Sequence, residues 1–239
     1  MNFNHEFAAD LEQIDLFDRQ NKFALGRFGD GETALLQMRP IPTADGWSVP
    51  TFENPFRQEL AKALRCTASG WHVGLSCPCC YLNDHRWLME NCGAPDERRT
   101  YSNLFVNANY DTVLKRIKEE RWLERCAIVA NPDGCKERPD YCCPDNVVQD
   151  LWGIEQIVKR LQGTDRFGAE GRPILLCCGP AGAIIAHKYW TTTDHPETIV
   201  DIGSILDPLL RGRISRGYHD PTHPNRSRVC RWTVVNGLP

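Results

Sequence analysis

The sequence predicts an α/β fold built on a mostly parallel, Rossmann-like sheet with helices on both faces. Short apolar runs alternate with longer stretches of helical periodicity, turn signals separate them, and the connection lengths suit right-handed crossovers. No repeat of fixed period and no low-complexity segment interrupts that rhythm.

Phe7, Leu11 and Ile14 fall at helical spacing over residues 5–19. Residues 23–28 read as a strand that stops at Gly29-Asp30-Gly31. A helix then starts near Glu32, carries Leu35, Leu36 and Met38, and ends at Pro40 and Pro42, which cannot continue it. Asn54-Pro55 is an N-cap with proline in the first turn of a helix reaching Leu64. A strand over 71–75, a cysteine-rich turn and a helix over 82–90 follow. Residues 104–106 are expected as a strand before a helix over 110–123, where Val113, Leu114, Ile117 and Trp122 line one side. Residues 127–130 form another short strand, Asp145 caps a helix over 147–161, and Gly163 stops it. A strand over 173–178, the turn Gly179-Pro180-Ala181-Gly182, a helix over 183–190 and a last strand over 199–202 complete the pattern.

The chain has 239 residues, 41% hydrophobic and 25% charged, enough to bury a sizeable core in one domain. Its expected organisation is a single domain over 1–239 with cysteine-rich loops at 76–92 and 135–143 and a basic segment at 211–232. A net charge of −3 argues against nucleic acid as a partner. No apolar run approaches the roughly 20 residues that cross a bilayer, and the first ten residues are polar and acidic; no transmembrane segment and a cytoplasmic location are expected. The 12 cysteines are accordingly expected as reduced thiols or metal ligands.

In a parallel sheet, ligands gather at the carboxyl ends of the strands. The most informative such turn is Gly26-Arg27-Phe28-Gly29-Asp30-Gly31-Glu32. In an extended turn residues two apart project to the same side, so Asp30 and Glu32 are expected to converge on one hard cation, Mg2+ or Mn2+, which fills its remaining positions with water and substrate phosphate. Gly29 and Gly31 allow close backbone approach to an anion, and Arg27 pairs with phosphate. The plainer reading is a solvated turn whose acids stabilise a helix N-terminus. The glycines do not fit the dinucleotide fingerprint G-x-G-x-x-G, and no P-loop motif occurs.

Arg27-Phe28-Gly29-Asp30-Gly31-Glu32 after an apolar strand resembles the signature of glycosyltransferases with the GT-D type fold, a family first described as a domain of unknown function. The resemblance continues through residues 103–110, 174–182 and 199–207, in the family's order, and covers most of the chain. It implies that the Asp-x-Glu element is associated with a divalent metal and a sugar-nucleotide donor, UDP-sugar being the class the family suggests. The cysteine-rich segments and the arginine-rich end depart from the family pattern.

Gly179 and Pro180, between strand and helix, present backbone N–H groups and a positive helix end to a phosphate or ribose; close packing is the competing reading. Asp201, Gly203 and Ser204 follow the last strand, where Asp201 either accepts bonds from a sugar hydroxyl or fixes neighbouring amides. Asp133, ending another strand, is the first carboxylate to test as an acceptor base. Cys77 and Cys80 have C-x-x-C spacing and offer two ligands of a structural Zn2+, with Cys135, Cys142 or Cys143 completing it, the alternative being packed free thiols. Cys177 and Cys178, adjacent in a strand, are expected to face opposite sides of the core. Six arginines against Asp220 alone between positions 211 and 231 suit the donor diphosphate or a phosphorylated acceptor, or are solvated surface charge.

The expected function is thus a metal-dependent glycosyltransferase moving a sugar from a nucleoside diphosphate sugar to a hydroxyl of a glycan or other acceptor. The alternatives are a metal-dependent phosphoesterase using the same carboxylates and a non-catalytic, zinc-stabilised binding module.

Overall fold

The computed structural model describes residues 1–39, 54–131, 140–143, 150–163, 169, 171–212 and 214–232. Its strands are β1 (Ala24–Phe28), β2 (Trp71–Leu75), β3 (Arg99–Tyr101), β4 (Ala127–Ala130), β5 (Tyr141–Cys142), β6 (Ile174–Cys177) and β7 (Ile199–Asp201). They form one sheet in the order β3-β2-β1-β7-β6-β4-β5, and every pairing is parallel. The helices are α1 (Phe7–Glu12), α2 (Asp30–Leu36), α3 (Pro55–Leu64), α4 (Leu82–Asn91), α5 (Tyr110–Glu119), α6 (Trp122–Arg125), α7 (Leu151–Leu161), α8 (Ala181–Thr192) and α9 (Asp207–Arg211).

Both faces of the sheet are buried, as a parallel sheet requires. Alternation along each strand sends Ala24, Val129, Ile174, Leu176 and Ile199 into one core with α2, α3, α4, α7 and α8. Leu25, Ile128, Leu175 and Val200 enter the other, with α5, α6 and α9. Cys178 joins the first core and Cys177 the second, so these neighbours do face opposite sides. Gly26 is forced by packing: a Cβ there would lie 2.6 Å from the Trp71 ring on the adjacent strand.

Three expected elements are corrected. Residues 104–106 are not a strand, because β3 lies earlier in the chain and pairs β2 from Val73↔Arg99 to Leu75↔Tyr101. Leu104, Phe105 and Val106 are apolar because they fill the second core. The helix expected over 110–123 breaks into α5 and α6 at Arg121, whose φ of 55° is left-handed. The first helix spans only Phe7–Glu12. The Asn54 cap forms as expected, its side chain accepting from the Phe56 N–H at 2.9 Å. The helix expected from residue 147 is α7, capped by Asp150, which accepts from the Gly153 N–H at 2.8 Å; Asp145 lies outside the described residues.

The strand order locates the ligand crevice. From β1 the chain steps outward through β2 to β3, crosses the sheet, and returns inward through β6 to β7 beside β1. The order therefore reverses between β1 and β7, and the carboxyl ends of these two strands flank the switch point where such sheets bind ligands. Among the described residues no helix is long and apolar enough to cross a membrane.

Candidate active site at the junction of β1 and β7

Arg27 is the central side chain of this junction. Its Nε donates to the Ser102 carbonyl beyond β3, and its Nη1 lies 4.0 Å from Asp201 Oδ1 at the end of β7. Asp201 is nearly inaccessible, its side chain 4% exposed, and its Oδ1 also accepts from the Gly203 N–H at 2.9 Å. On its other side stands the first turn of α8, so close that a Cβ on Gly182 would come within 2.6 Å of Asp201 Oδ2. The positive end of that helix favours the ionised carboxylate.

Glu32 enters from α2. Its Oε2 accepts from the Gly29 N–H at 2.9 Å, while Thr33 Oγ1 donates to the Gly29 carbonyl at 2.6 Å. These bonds make Gly29 the N-cap and start the helix at Asp30. That start corrects the geometry expected of the motif: residues two apart on a helix do not share a side. Asp30 is exposed at the rim, and Glu32 turns back into the junction.

Burial, with Asp201 nearby, pushes the Glu32 carboxyl up to about 7 against the opposing pull of Arg27; Asp30 adds a smaller push in the same direction. Burial likewise raises Asp201 to about 6, with Arg27 and the Gly203 N–H opposing. The junction thus brings together two carboxylates that each resist ionisation and an arginine that favours their charge. The charge of Asp201 thus acts on Glu32 although the two residues lie far apart in the sequence.

The other expected site residues occupy varied surroundings. Gly31 is half-buried within α2. Gly179 has a φ of 56° and its carbonyl accepts from the Gly182 N–H at 2.9 Å, while Pro180 is the N-cap of α8. The helix end assigned from sequence to a phosphate or ribose therefore packs against Asp201. Ser204 Oγ is 2.6 Å from the Tyr218 hydroxyl, and its carbonyl is 3.1 Å from His219 Nε2. Asp133 and Cys135 lie outside the described residues. Cys142 is disulfide-bonded, so it is unavailable as a thiolate ligand and departs from the expectation of reduced cysteines.

The basic end is largely engaged with the protein itself. Arg211 lies 3.5 Å from Asp207, and Arg226 pairs with Asp111 while its guanidinium sits 5.0 Å from the Tyr110 ring centroid. Arg213 lies outside the described residues. Arg228 is exposed and near Cys80 and Tyr81; burial first raises both groups, with Cys77 adding to it at Cys80 and the charge of Asp30 at Tyr81, and Arg228 opposes by the smallest amount. Arg228 is therefore the C-terminal arginine placed at the rim near the motif. Ser102, Tyr81 and Tyr218 carry no sequence pattern that would single them out. A cavity of about 310 Å3 lies at the opposite end of the sheet, lined by Lys22, Arg125, Pro173 and Thr198, away from these carboxylates.

Gly203 is a sharp test of the junction. It has a φ of 62°, and a Cβ would overlap the Arg27 guanidinium. Gly203→Ala is expected to cost about 1–3 kcal/mol and lower the melting temperature. Gly171→Ala, at a φ of 74° with open space around it, should lose less. Equal losses in thermal melts would show that the guanidinium does not need that space.

The fold and this junction define a doubly wound α/β protein with Arg27, Glu32 and Asp201 gathered near the sheet's switch point. Within that class, the chain has the fold of solved structures of domain of unknown function 1792. One, described as having a distinct glycosyltransferase fold, aligns with a TM-score of 0.58 and 15% identity over 93% of this chain and 87% of its own. Another, described as a new glycosyltransferase from Streptococcus sanguinis, aligns with a TM-score of 0.56 and 15% identity over 95% of this chain and 92% of its own. No family model matches the sequence, and no curated protein does. The glycosyltransferase fold implied by the sequence motifs is the fold observed.

Proposed function

We propose that this protein is a metal-dependent glycosyltransferase that moves a sugar from a nucleoside diphosphate sugar, of the UDP-sugar class, to a hydroxyl of a glycan or other acceptor. The observation that carries the reading is the grouping of Arg27, Glu32 and Asp201 at the β1/β7 switch point of a sheet with this fold. The similar structures support it through their fold and descriptions.

The residues present offer a hard divalent cation oxygen donors of the right chemistry, although the oxygens of Asp30, Glu32 and Asp201 do not all lie within 4.8 Å of one another. Glu32 and Asp201 are oxygen donors whose burial raises their proton affinity, and Asp30 adds an exposed carboxylate at the rim. Such a set suits Mg2+ or Mn2+. Glu32 and Asp201, with Asp30 reaching in from the rim, would hold the ion, which when bound would neutralise charge growing on the departing diphosphate. Arg27, anchored on Ser102 and Asp201, holds fixed positive charge in the crevice, and Arg228 offers a second guanidinium at its rim. Gly29 and Gly31 are the proposed points of close backbone approach to the diphosphate, while the space over Gly203 is taken by Arg27. Asp133 is the proposed acceptor base, and Asp133→Asn should lower turnover and flatten its pH dependence.

Thermal shift against a panel of nucleoside diphosphate sugars, with and without Mn2+, tests the reading. A melting-temperature rise that requires both sugar nucleotide and metal is expected, because a ligand that binds only the folded state stabilises it. Phosphate release from simple esters without sugar-nucleotide binding would favour a phosphoesterase. Ligand binding unchanged in the Asp30→Ala, Glu32→Ala double variant would point to a binding module.

A further inference from the structure

Beside the junction, the turn after β2 gathers a second set of chemically active groups. Backbone N–H groups of Cys80 and Tyr81 both donate to the Cys77 carbonyl, at 3.2 and 3.0 Å, folding Cys77-Pro78-Cys79-Cys80 into a tight loop. Cys230 arrives from the C-terminal segment, and the Sγ atoms of Cys77, Cys79, Cys80 and Cys230 all lie within 4.8 Å of one another. Cys79 Sγ is 3.5 Å from Cys77 Sγ and 3.9 Å from Cys80 Sγ. All four are free thiols.

These separations match a tetrahedral tetrathiolate site for one metal ion. A disulfide requires sulfurs about 2.05 Å apart. Four thiolates around one tetrahedral zinc, each about 2.3 Å from the ion, stand about 3.8 Å from one another. Sulfurs this close surround a single ion and leave no room for a multi-iron cluster. The surroundings also suit bound thiolates: Asn103 Nδ2 donates to Cys230 Sγ at 2.8 Å, the Arg231 backbone N–H lies near Cys79 and favours its ionised form, and Arg228 places positive charge near Cys80. N–H donors to ligating sulfur are the outer shell that such sites use to hold and tune their ligands.

We infer that Cys77, Cys79, Cys80 and Cys230 bind one structural zinc ion that pins the C-terminal segment onto the carboxyl edge of the sheet. The set keeps two of the cysteines expected from spacing and replaces Cys135 and Cys142 with Cys79 and Cys230. Cys230 is the ligand contributed by the tail, two residues from Arg228 and two from Trp232, whose ring stacks on His5 at 4.1 Å. The ion closes a loop from the end of β2 to the end of the described chain and holds Arg228 beside the crevice. The inference does not rest on the glycosyltransferase reading, since its measurements require no sugar nucleotide.

Metal analysis of protein purified under reducing conditions without added zinc should find about one zinc per chain. Cys230→Ser and Cys79→Ser should each lose most of it, while Cys66→Ser, outside the cluster, should keep it. Removing zinc with a chelator should speed tryptic cleavage after Arg226 and Arg228 at least about tenfold, because binding free energy of a structural metal is folding free energy for the segments it joins. Should the variants fail to fold, the wild-type protein exchanged with Co2+ must show the charge-transfer absorption of a tetrahedral tetrathiolate. Zinc-free protein with four alkylatable thiols, disulfides among these cysteines, or retention of zinc by folded Cys230→Ser would each overturn the inference.

Discussion

Asp30→Asn and Glu32→Gln are each expected to lower kcat/KM for a nucleoside diphosphate sugar by about 100-fold or more in saturating Mn2+, the scale on which removing a charge-stabilising group acts. Steady-state kinetics with the donor identified by thermal shift measures this. Full activity in both variants would remove the proposed metal site. Glu32→Gln carries an independent signature in stability. Its carboxyl ionises near pH 7 in the folded protein against 4.5 ordinarily, so the folded state holds the proton more tightly. Ionisation therefore opposes folding: stability is greatest below about pH 4.5 and falls as pH rises towards 7, by on the order of 2–3 kcal/mol from this residue. Asp201, raised to about 6, acts in the same direction from a lower starting point. Gln keeps an acceptor for the Gly29 N–H but cannot ionise, so Glu32→Gln should melt higher than wild type at pH 8 and show a shallower decline. Identical pH profiles would mean that Glu32 does not titrate there. Mn2+ should stabilise wild type more at pH 8 than at pH 5.5, because at the lower pH it must displace protons.

Arg27→Ala is expected to destabilise the protein by about 3 kcal/mol at pH 8, the scale of leaving a buried charge without its partner. The loss should shrink at pH 5, where Glu32 and Asp201 hold protons and no longer need the guanidinium. Urea midpoints at the two pH values give the comparison. A pH-independent loss would assign Arg27 to packing and its bond to Ser102 alone. Arg27→Lys should fall between, since one ammonium retains charge but cannot hold both Ser102 and Asp201 in a planar fork.

Much of the scaffold was legible because its signals are local. The strands at 24–28, 71–75, 127–130, 174–177 and 199–201 fall where short apolar runs end in turns, and Asn54-Pro55 caps a helix where its chemistry says it should. Residues 104–106 misled because burial alone produces an apolar run, whether the backbone lies in a sheet or in a turn under α5. The motif around Asp30 was found, yet its geometry was not. Whether Glu32 lies beside Asp30 on an extended turn or reaches back to Gly29 depends on where the helix begins, and the hydrogen bond that starts it is made by Glu32 itself. Cys77 and Cys80 were visible as a pair by spacing; Cys79 and Cys230 join them only through a tight turn and the path of the C-terminal segment.

By itself the sequence determined the parallel α/β layering and the turn that carries the acidic motif, because both follow from short-range periodicity and the conformational preferences of glycine and proline. Only the tertiary structure decided that Arg27 lies beside Asp201, near enough to Glu32 for their charges to interact, and that Cys230 closes on the turn after β2. Those approaches depend on strand order and chain reversal, which bring distant residues close together with no local pattern to announce them.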